Sequence, residues 1–278
     1  MNDQNKIETL HLIPILDDML ITLLSSLSED EWQAQTVAKL WKVKDVAAHL
    51  LDGNLRNISI ARDGYFGEQA DGIDSYDGLV SYLNTLNMSW TNAAKRLSPR
   101  VLITLLELSS KEYYDHLKTL DPDKNAIFSV AWAGQETSPN WFHIAREYTE
   151  KFLHQQQIRD AIGQQALMTR ALFFPFIDTF MHAFPFAFRH IAADIDTVVA
   201  LEITSEIGGV WQIIRNEDGW HLTTEHHHHA HSMVTMHPDA AWKLFSKSWS
   251  PAQVMDKVDI QGDRKLGEKV LNIVAVMA

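Results

Sequence analysis

The chain contains no cysteine. That excludes disulfides, thiolate metal ligands and a cysteine nucleophile, so any thiol chemistry must use a small-molecule thiol supplied from outside. Positive charge is also scarce: 24 Lys and Arg stand against 36 Asp and Glu, a formal net charge of -12. A sequence-independent grip on nucleic acid phosphates or anionic lipid needs clustered Lys and Arg, so neither is an expected partner. There is no clean apolar run of membrane-spanning quality. The most apolar stretch, Ala171 to Phe188, carries Asp178, His182, Pro175 and Pro185, with Arg189 just beyond. A bilayer span would bury those polar groups at high cost, and the stretch reads as a buried helix instead. Residues Met1 to Lys6 are polar and lack the basic and apolar regions of a signal peptide, so the expected location is the cytoplasm. No repeat of fixed period and no long low-complexity linker is present.

What the chain does have is 278 residues, 46% of them hydrophobic, enough for two ordinary domains. Leu12, Ile15, Leu16, Met19, Leu20, Leu23 and Leu24 form the i, i+3, i+4 stripe of an amphipathic helix within residues 6–27. A second helix begins near Val43 and runs toward Tyr65, ending in the turn-prone stretch from Gly64 to Gly72. Helices near 76–97 and 99–119 follow, the latter opened by Ser98 as cap and Pro99 at the first helical position. The loop from Asp121 to Asn140, with Trp132 and Trp141 in or near it, leads into a further helix. After about residue 195 the signal turns extended. Val198 to Ile203 and Val210 to Arg215 are β-branched runs, Asn216-Glu217-Asp218-Gly219 is a hairpin turn into Trp220 to Thr224, and Ala230 to Met236 reads as another strand. Helices near 238–247, 251–257 and 264–276 complete a small α+β domain. The expected organisation is therefore α+β: a helical domain over 1–165, a connecting apolar helix over 166–195 and the α+β domain over 196–278.

Three residues carry the chemical signal. His49 lies early in the second helix, and Glu150 and His154 lie four apart on a later one, so the latter two share a helix face on consecutive turns. Two imidazoles and one carboxylate suit zinc or another late divalent ion such as nickel, and three protein ligands leave a position open for water or substrate. By spacing alone the same residues also fit a hydrogen-bonded core histidine and a solvated Glu/His charge pair.

The surrounding words add a resemblance. The stretch Leu40-Trp41-Lys42-Val43-Lys44-Asp45-Val46-Ala47-Ala48-His49-Leu50-Leu51-Asp52-Gly53 resembles the first helix signature of the mycothiol-dependent maleylpyruvate isomerase family, a branch of the DinB/YfiT-like four-helix bundles. Residues 146–163, with Arg146, Glu150, His154, Ile158, Arg159 and Gly163, are similar to its second signature. The resemblance implies a DinB-like bundle in which His49, Glu150 and His154 hold a zinc ion. Gln157 departs from the family pattern, which often has Asp there. Asp239 to Phe245 followed by Ile260 to Gly267 is similar to a sterol-carrier-like domain appended to that bundle.

The family reading implies metal-dependent isomerisation or S-transfer on a small electrophilic substrate, with a low-molecular-weight thiol as cosubstrate. A metal-dependent hydrolase is a second reading, with His143, Glu147 and Asp178 as candidate general bases. A noncatalytic carrier of a small apolar ligand is a third. Asp178 and His182, four apart, are candidates to support a metal pocket or to form a structural pair. Dimerisation through a bundle face is a further expectation. In the run His226-His227-His228-His229-Ala230-His231, an extended strand would place His227, His229 and His231 on one face, a second place where a transition metal could gather.

Overall fold

A computed structural model of the chain describes residues 6–67, 75–223 and 229–276. They form two compact units, one built mainly from 8–127 and 139–166, the other from 128–138 and 167–276. The first unit is helical: α1 (Ile13–Ser26), α2 (Glu29–Trp32), α3 (Val43–Asn57), α4 (Tyr76–Ala94), α5 (Pro99–Leu117) and α6 (Asn140–Ala161). α3 packs on α4, α5 and α6, while α1 lies against α5 and α6. Of the predicted α1 stripe, Leu12, Leu16, Leu20, Leu23 and Leu24 are buried, while Met19 is half-buried and Ile15 exposed; Leu20, Leu23 and Leu24 join Val43, Val46, Ala47 and Leu51 of α3 and Leu102 and Leu106 of α5 in one core. α5 starts as expected: Ser98 Oγ accepts from the Val101 amide at 3.3 Å, with Pro99 inside the first turn. α2 was not anticipated; Ser28 and Glu31 close a reciprocal capping box around a single turn too short to show a period.

α3 stops earlier than its periodicity predicts and continues as a wider π turn over Ile58–Arg62. The cause is local. Asn57 Nδ2 donates to the Gly53 carbonyl at 2.9 Å, offering the backbone a partner that competes with the regular ladder, and donates also to Glu147 Oε2 at 3.1 Å.

α6 is the central helix, buried over most of its 22 residues although rich in polar side chains. Lys151 Nζ donates to Asp17 Oδ1 of α1 at 2.7 Å and to Asn54 Oδ1 of α3 at 3.1 Å, and Asn54 in turn donates to Ser109 and Ser110 of α5. Both charged side chains are at most a tenth exposed. Removing one partner strands the other charge in the core. We expect Asp17→Leu or Lys151→Met alone to cost about 3 kcal/mol in urea unfolding, and the double substitution to recover most of that loss. Additive losses in the double variant would contradict a coupled pair.

The second unit contains α7 (Arg170–Met181), α8 (Ala183–Phe188), strands β1 (Val198–Ile203), β2 (Gly209–Asn216), β3 (Gly219–Thr223) and β4 (Ser232–Met236), then α9 (Pro238–Phe245), α10 (Pro251–Val254), β5 (Val258–Gly262) and α11 (Arg264–Val270). The sheet order is β3-β2-β1-β4-β5, antiparallel except where β1 pairs parallel with β4. The hairpin turn falls where the sequence places it, with Asn216 opposite Gly219. β5 is the strand the sequence did not reveal: it is a short edge, with Val258 and Ile260 half-buried and Asp259 and Gln261 exposed. Gly262, at φ 79°, ends it where a Cβ would come within 2.3 Å of the His231 carbonyl oxygen, and Asp263 then caps α11.

The apolar stretch forms two helices, not one. Pro185 has no amide to bond the Met181 carbonyl and its ring crowds it, so the helix breaks at His182. Among the described residues Arg170–Phe188 is the one stretch long and apolar enough to cross a membrane, and more than half of it is buried. Phe173, Phe176, Phe180, Phe184 and Phe188 are wholly buried, as in a core element.

Candidate metal centre

The loop before α3 is wound tightly. Gln35 Nε2 lies within 3.3 Å of the carbonyls of Thr36, Ala38, Lys39 and Trp41, and Thr36 Oγ1 donates to the Trp41 carbonyl at 2.7 Å. α3 then opens with Asp45 Oδ2 accepting the Lys42 amide at 3.0 Å, which sets His49 in the second turn. α6 supplies Glu150 and His154 from consecutive turns. The structure brings His49, Glu150 and His154 together, with one ligand atom from each lying within 4.8 Å of the other two.

The details suit a cation. His154 Nε2 and Glu150 Oε2 are 3.3 Å apart, which matches two ligands each at about 2.0–2.1 Å from one tetrahedral ion. His154 Nδ1 lies 2.9 Å from Gln157 Oε1, a carbonyl oxygen that only accepts, so Nδ1 carries the proton and the Nε2 lone pair faces the carboxylate. Two acceptors at that separation repel each other unless a cation or proton lies between. Burial, with the His154 ring and the Arg56 charge nearby, holds the His49 imidazole well below its ordinary range, keeping it neutral and able to donate a lone pair. His49 Nδ1 is buried and has no hydrogen-bond partner among the described residues. The His49 and His154 rings meet edge to face at 4.5 Å, and the Trp41 indole lies 4.7 Å from the first and 5.9 Å from the second.

Trp41 and Gln157 are the site residues to which the sequence reading gave no role. Gln157 was visible as a departure from a pattern, and its i, i+3 spacing from His154 is what lets it reach the ring. It does for His154 what a carboxylate commonly does for a ligating imidazole, without the negative charge. We expect Gln157→Leu to weaken zinc binding about 10- to 100-fold in a chelator competition titration; an unchanged affinity would show that the bond is incidental.

Of the candidate acid/base residues, His143 and Glu147 lie on α6 in the same unit, N-terminal to Glu150 and His154. Arg146 Nη2 donates to Glu147 Oε1 at 2.6 Å and sits 3.0 Å from His143 Nδ1. Burial alone would raise the Glu147 carboxyl, but the Arg146 guanidinium, which also donates to it, and the neighbouring His143 hold it below its usual value. Burial, reinforced by Arg146, depresses His143 to about 4. In the unfolded chain a histidine titrates near 6.5, so the unfolded state takes up protons first as pH falls. The stability contributed by neutral His143 is fully present above 6.5 and is lost progressively toward pH 4, by about 3 kcal/mol. Unfolding midpoints of metal-free protein between pH 7 and 4.5 check this, and a flat profile would contradict it.

Asp178 and His182 belong to the other unit. There burial raises the Asp178 carboxyl while Trp211 Nε1 donates to its Oδ1 at 2.7 Å, and burial brings His182 down to about 4. Trp132, also in that unit, is a core residue against Phe180, and Trp141 in the helical unit stacks on Phe142. His226, His227 and His228 lie outside the described residues. β4 begins only at Ser232, and His231 Nδ1 accepts the Val198 amide at 3.0 Å, so His231 ties the chain to β1 ahead of the strand.

A sequence profile described as the mycothiol maleylpyruvate isomerase N-terminal domain matches residues 14–159, more than half of the chain and inclusive of all three candidate ligands. No curated protein sequence matches. A crystal structure of mycothiol-dependent maleylpyruvate isomerase and one of its histidine-to-alanine mutant each superpose with a TM-score of 0.55 at 12% identity, over 91% of this chain and 91% of theirs. At that identity the likeness is one of fold. With residues 14–159, more than half of the chain, matched by that profile, the chain belongs to the mycothiol maleylpyruvate isomerase N-terminal domain family.

Proposed function

We propose that this protein is a metal-dependent enzyme that uses a small thiol as cosubstrate to isomerise, or add sulfur to, a small electrophilic acid of the maleylpyruvate type. The observation that carries the reading is the convergence of two neutral imidazoles and one carboxylate at the centre of a bundle that contains no protein thiol. His49 and His154 supply neutral nitrogens and Glu150 one negative charge, so the donor set leaves a divalent ion about one unit of positive charge. A zinc ion, or another late divalent ion, bound there would favour the thiolate form of an incoming thiol and polarise a substrate oxygen.

The remaining work falls to the chain. Trp41 sets an apolar ring beside the imidazole pair, 4.7 Å from His49 and 5.9 Å from His154. Arg146, one helical turn or about 6 Å before Glu150 along α6, is a cation held by Glu147 and His143. Its position supports a carboxylate on the substrate, since a guanidinium recognises carboxylates through paired donors. The similar solved structures are mycothiol-dependent maleylpyruvate isomerases, which makes mycothiol and maleylpyruvate the first two molecules to test. The test is loss of absorbance of a cis-configured maleylpyruvate-type acid on incubation with zinc-loaded protein and mycothiol. Turnover that needs protein, metal and thiol together supports the reading; no turnover and no thiol adduct across a panel of cis-enoic and diketo acids would overturn it.

A further inference from the structure

The two histidines of the centre are held in place by different means. His154 is oriented by a hydrogen bond from Nδ1 to Gln157. His49 Nδ1 has no such bond among the described residues, and its ring lies 4.5 Å from the His154 ring and 4.7 Å from the Trp41 indole, with the planes of the latter pair tilted by 38°. A ligating imidazole normally has its ring angle set by a hydrogen bond to its other nitrogen, and loss of that restraint weakens metal binding. At His49 the restraint must come from packing.

Trp41 is built to provide it. Its amide donates to the Ala38 carbonyl at 2.8 Å, and its own carbonyl accepts from Gln35 Nε2, Thr36 Oγ1 and the Thr36 amide at 2.9, 2.7 and 3.2 Å. Both backbone polar groups are thus tied within the loop, so the indole sits on a rigid mount although the neighbouring Leu40 is 93% exposed. The ring also packs partly against the bundle core. A purely structural aromatic would account for that last contact alone, whereas the braced loop and the ring-on-ring approach to both histidines concern the metal site.

We infer that Trp41 is a positioning residue of the metal centre: its indole sets the His49 ring as Gln157 sets that of His154, with Gln35 bracing the loop that carries it. The inference rests on the metal-centre reading above, and the experiment separates the two. Metal-free wild type, Trp41→Phe, Trp41→Leu, Trp41→Ala and Gln35→Ala are titrated with zinc against a chromophoric chelator, and the thermal midpoint of each metal-free protein is recorded. Trp41→Ala and Trp41→Leu should weaken zinc binding about 10- to 100-fold, the range typical of a lost outer restraint on a ligand. Trp41→Phe, which keeps a ring on His49, should stay close to wild type, and Gln35→Ala should move toward Trp41→Ala. A merely structural role would lower the metal-free midpoint and leave the zinc affinity of the folded protein unchanged. Wild-type affinity in folded Trp41→Leu, which preserves apolar bulk if the alanine variant fails to fold, would overturn the inference. Failure of wild type itself to bind zinc would instead overturn the metal centre.

Discussion

His154→Ala should abolish thiol-dependent turnover and weaken zinc binding by a factor on the order of a hundred to a thousand while the bundle stays folded. The size follows from the free energy of zinc sites, roughly 10–16 kcal/mol shared among about four ligands, so one lost nitrogen costs several kcal/mol of affinity. The fold should survive because the ring's hydrogen-bond, ion-pair and ring contacts are to Gln157, Glu150, His49 and Trp41, residues of the site itself. His49→Ala and Glu150→Gln should behave alike. Groups that act as a unit are not additive in rate, so His49→Ala/His154→Ala should be no less active than either single variant. The comparison needs far-UV circular dichroism beside zinc titration and assay. Turnover retained at wild-type level in folded His154→Ala would remove the triad from the chemistry.

The second large effect concerns the thiol. A chain with no cysteine has no sulfur nucleophile of its own, so omission of added thiol should bring turnover to background, and the rate should rise hyperbolically as thiol is restored. Pretreating the protein with iodoacetamide, then removing the reagent, should leave activity intact, since there is no cysteine thiol to alkylate. Full activity in thoroughly dialysed protein with no thiol present would point to activated water as the nucleophile and favour the hydrolytic alternative.

Much of this architecture was legible because it rests on short-range pattern. β1 occupies the run Val198–Ile203 that β-branched residues mark out, the Asn216 to Gly219 turn is where the sequence puts it, and Ser98-Pro99 opens α5. His49, Glu150 and His154 were nameable because helical spacing and the flanking words travel together. What escaped depends on contacts far apart in sequence or too short to show a period. Asn57 diverts the end of α3 through a bond to its own backbone. Lys151 and Asp17, separated by 134 positions, look like surface charges until α6 and α1 pack. β5 has too few residues to alternate convincingly, and Pro185 divides a stretch whose composition reads as one helix. Trp41 was in view, but no periodicity relates it to His49, since a loop and not a helix face carries it to the ring.

The most direct measurement is anomalous diffraction at the zinc edge from crystals of protein purified without immobilised-metal resin and soaked in zinc at about one equivalent. The account predicts one strong peak within about 2.0–2.2 Å of a nitrogen of His49, a nitrogen of His154 and a carboxylate oxygen of Glu150. A lattice with no peak there, or with zinc only beside His229 and His231, would contradict it.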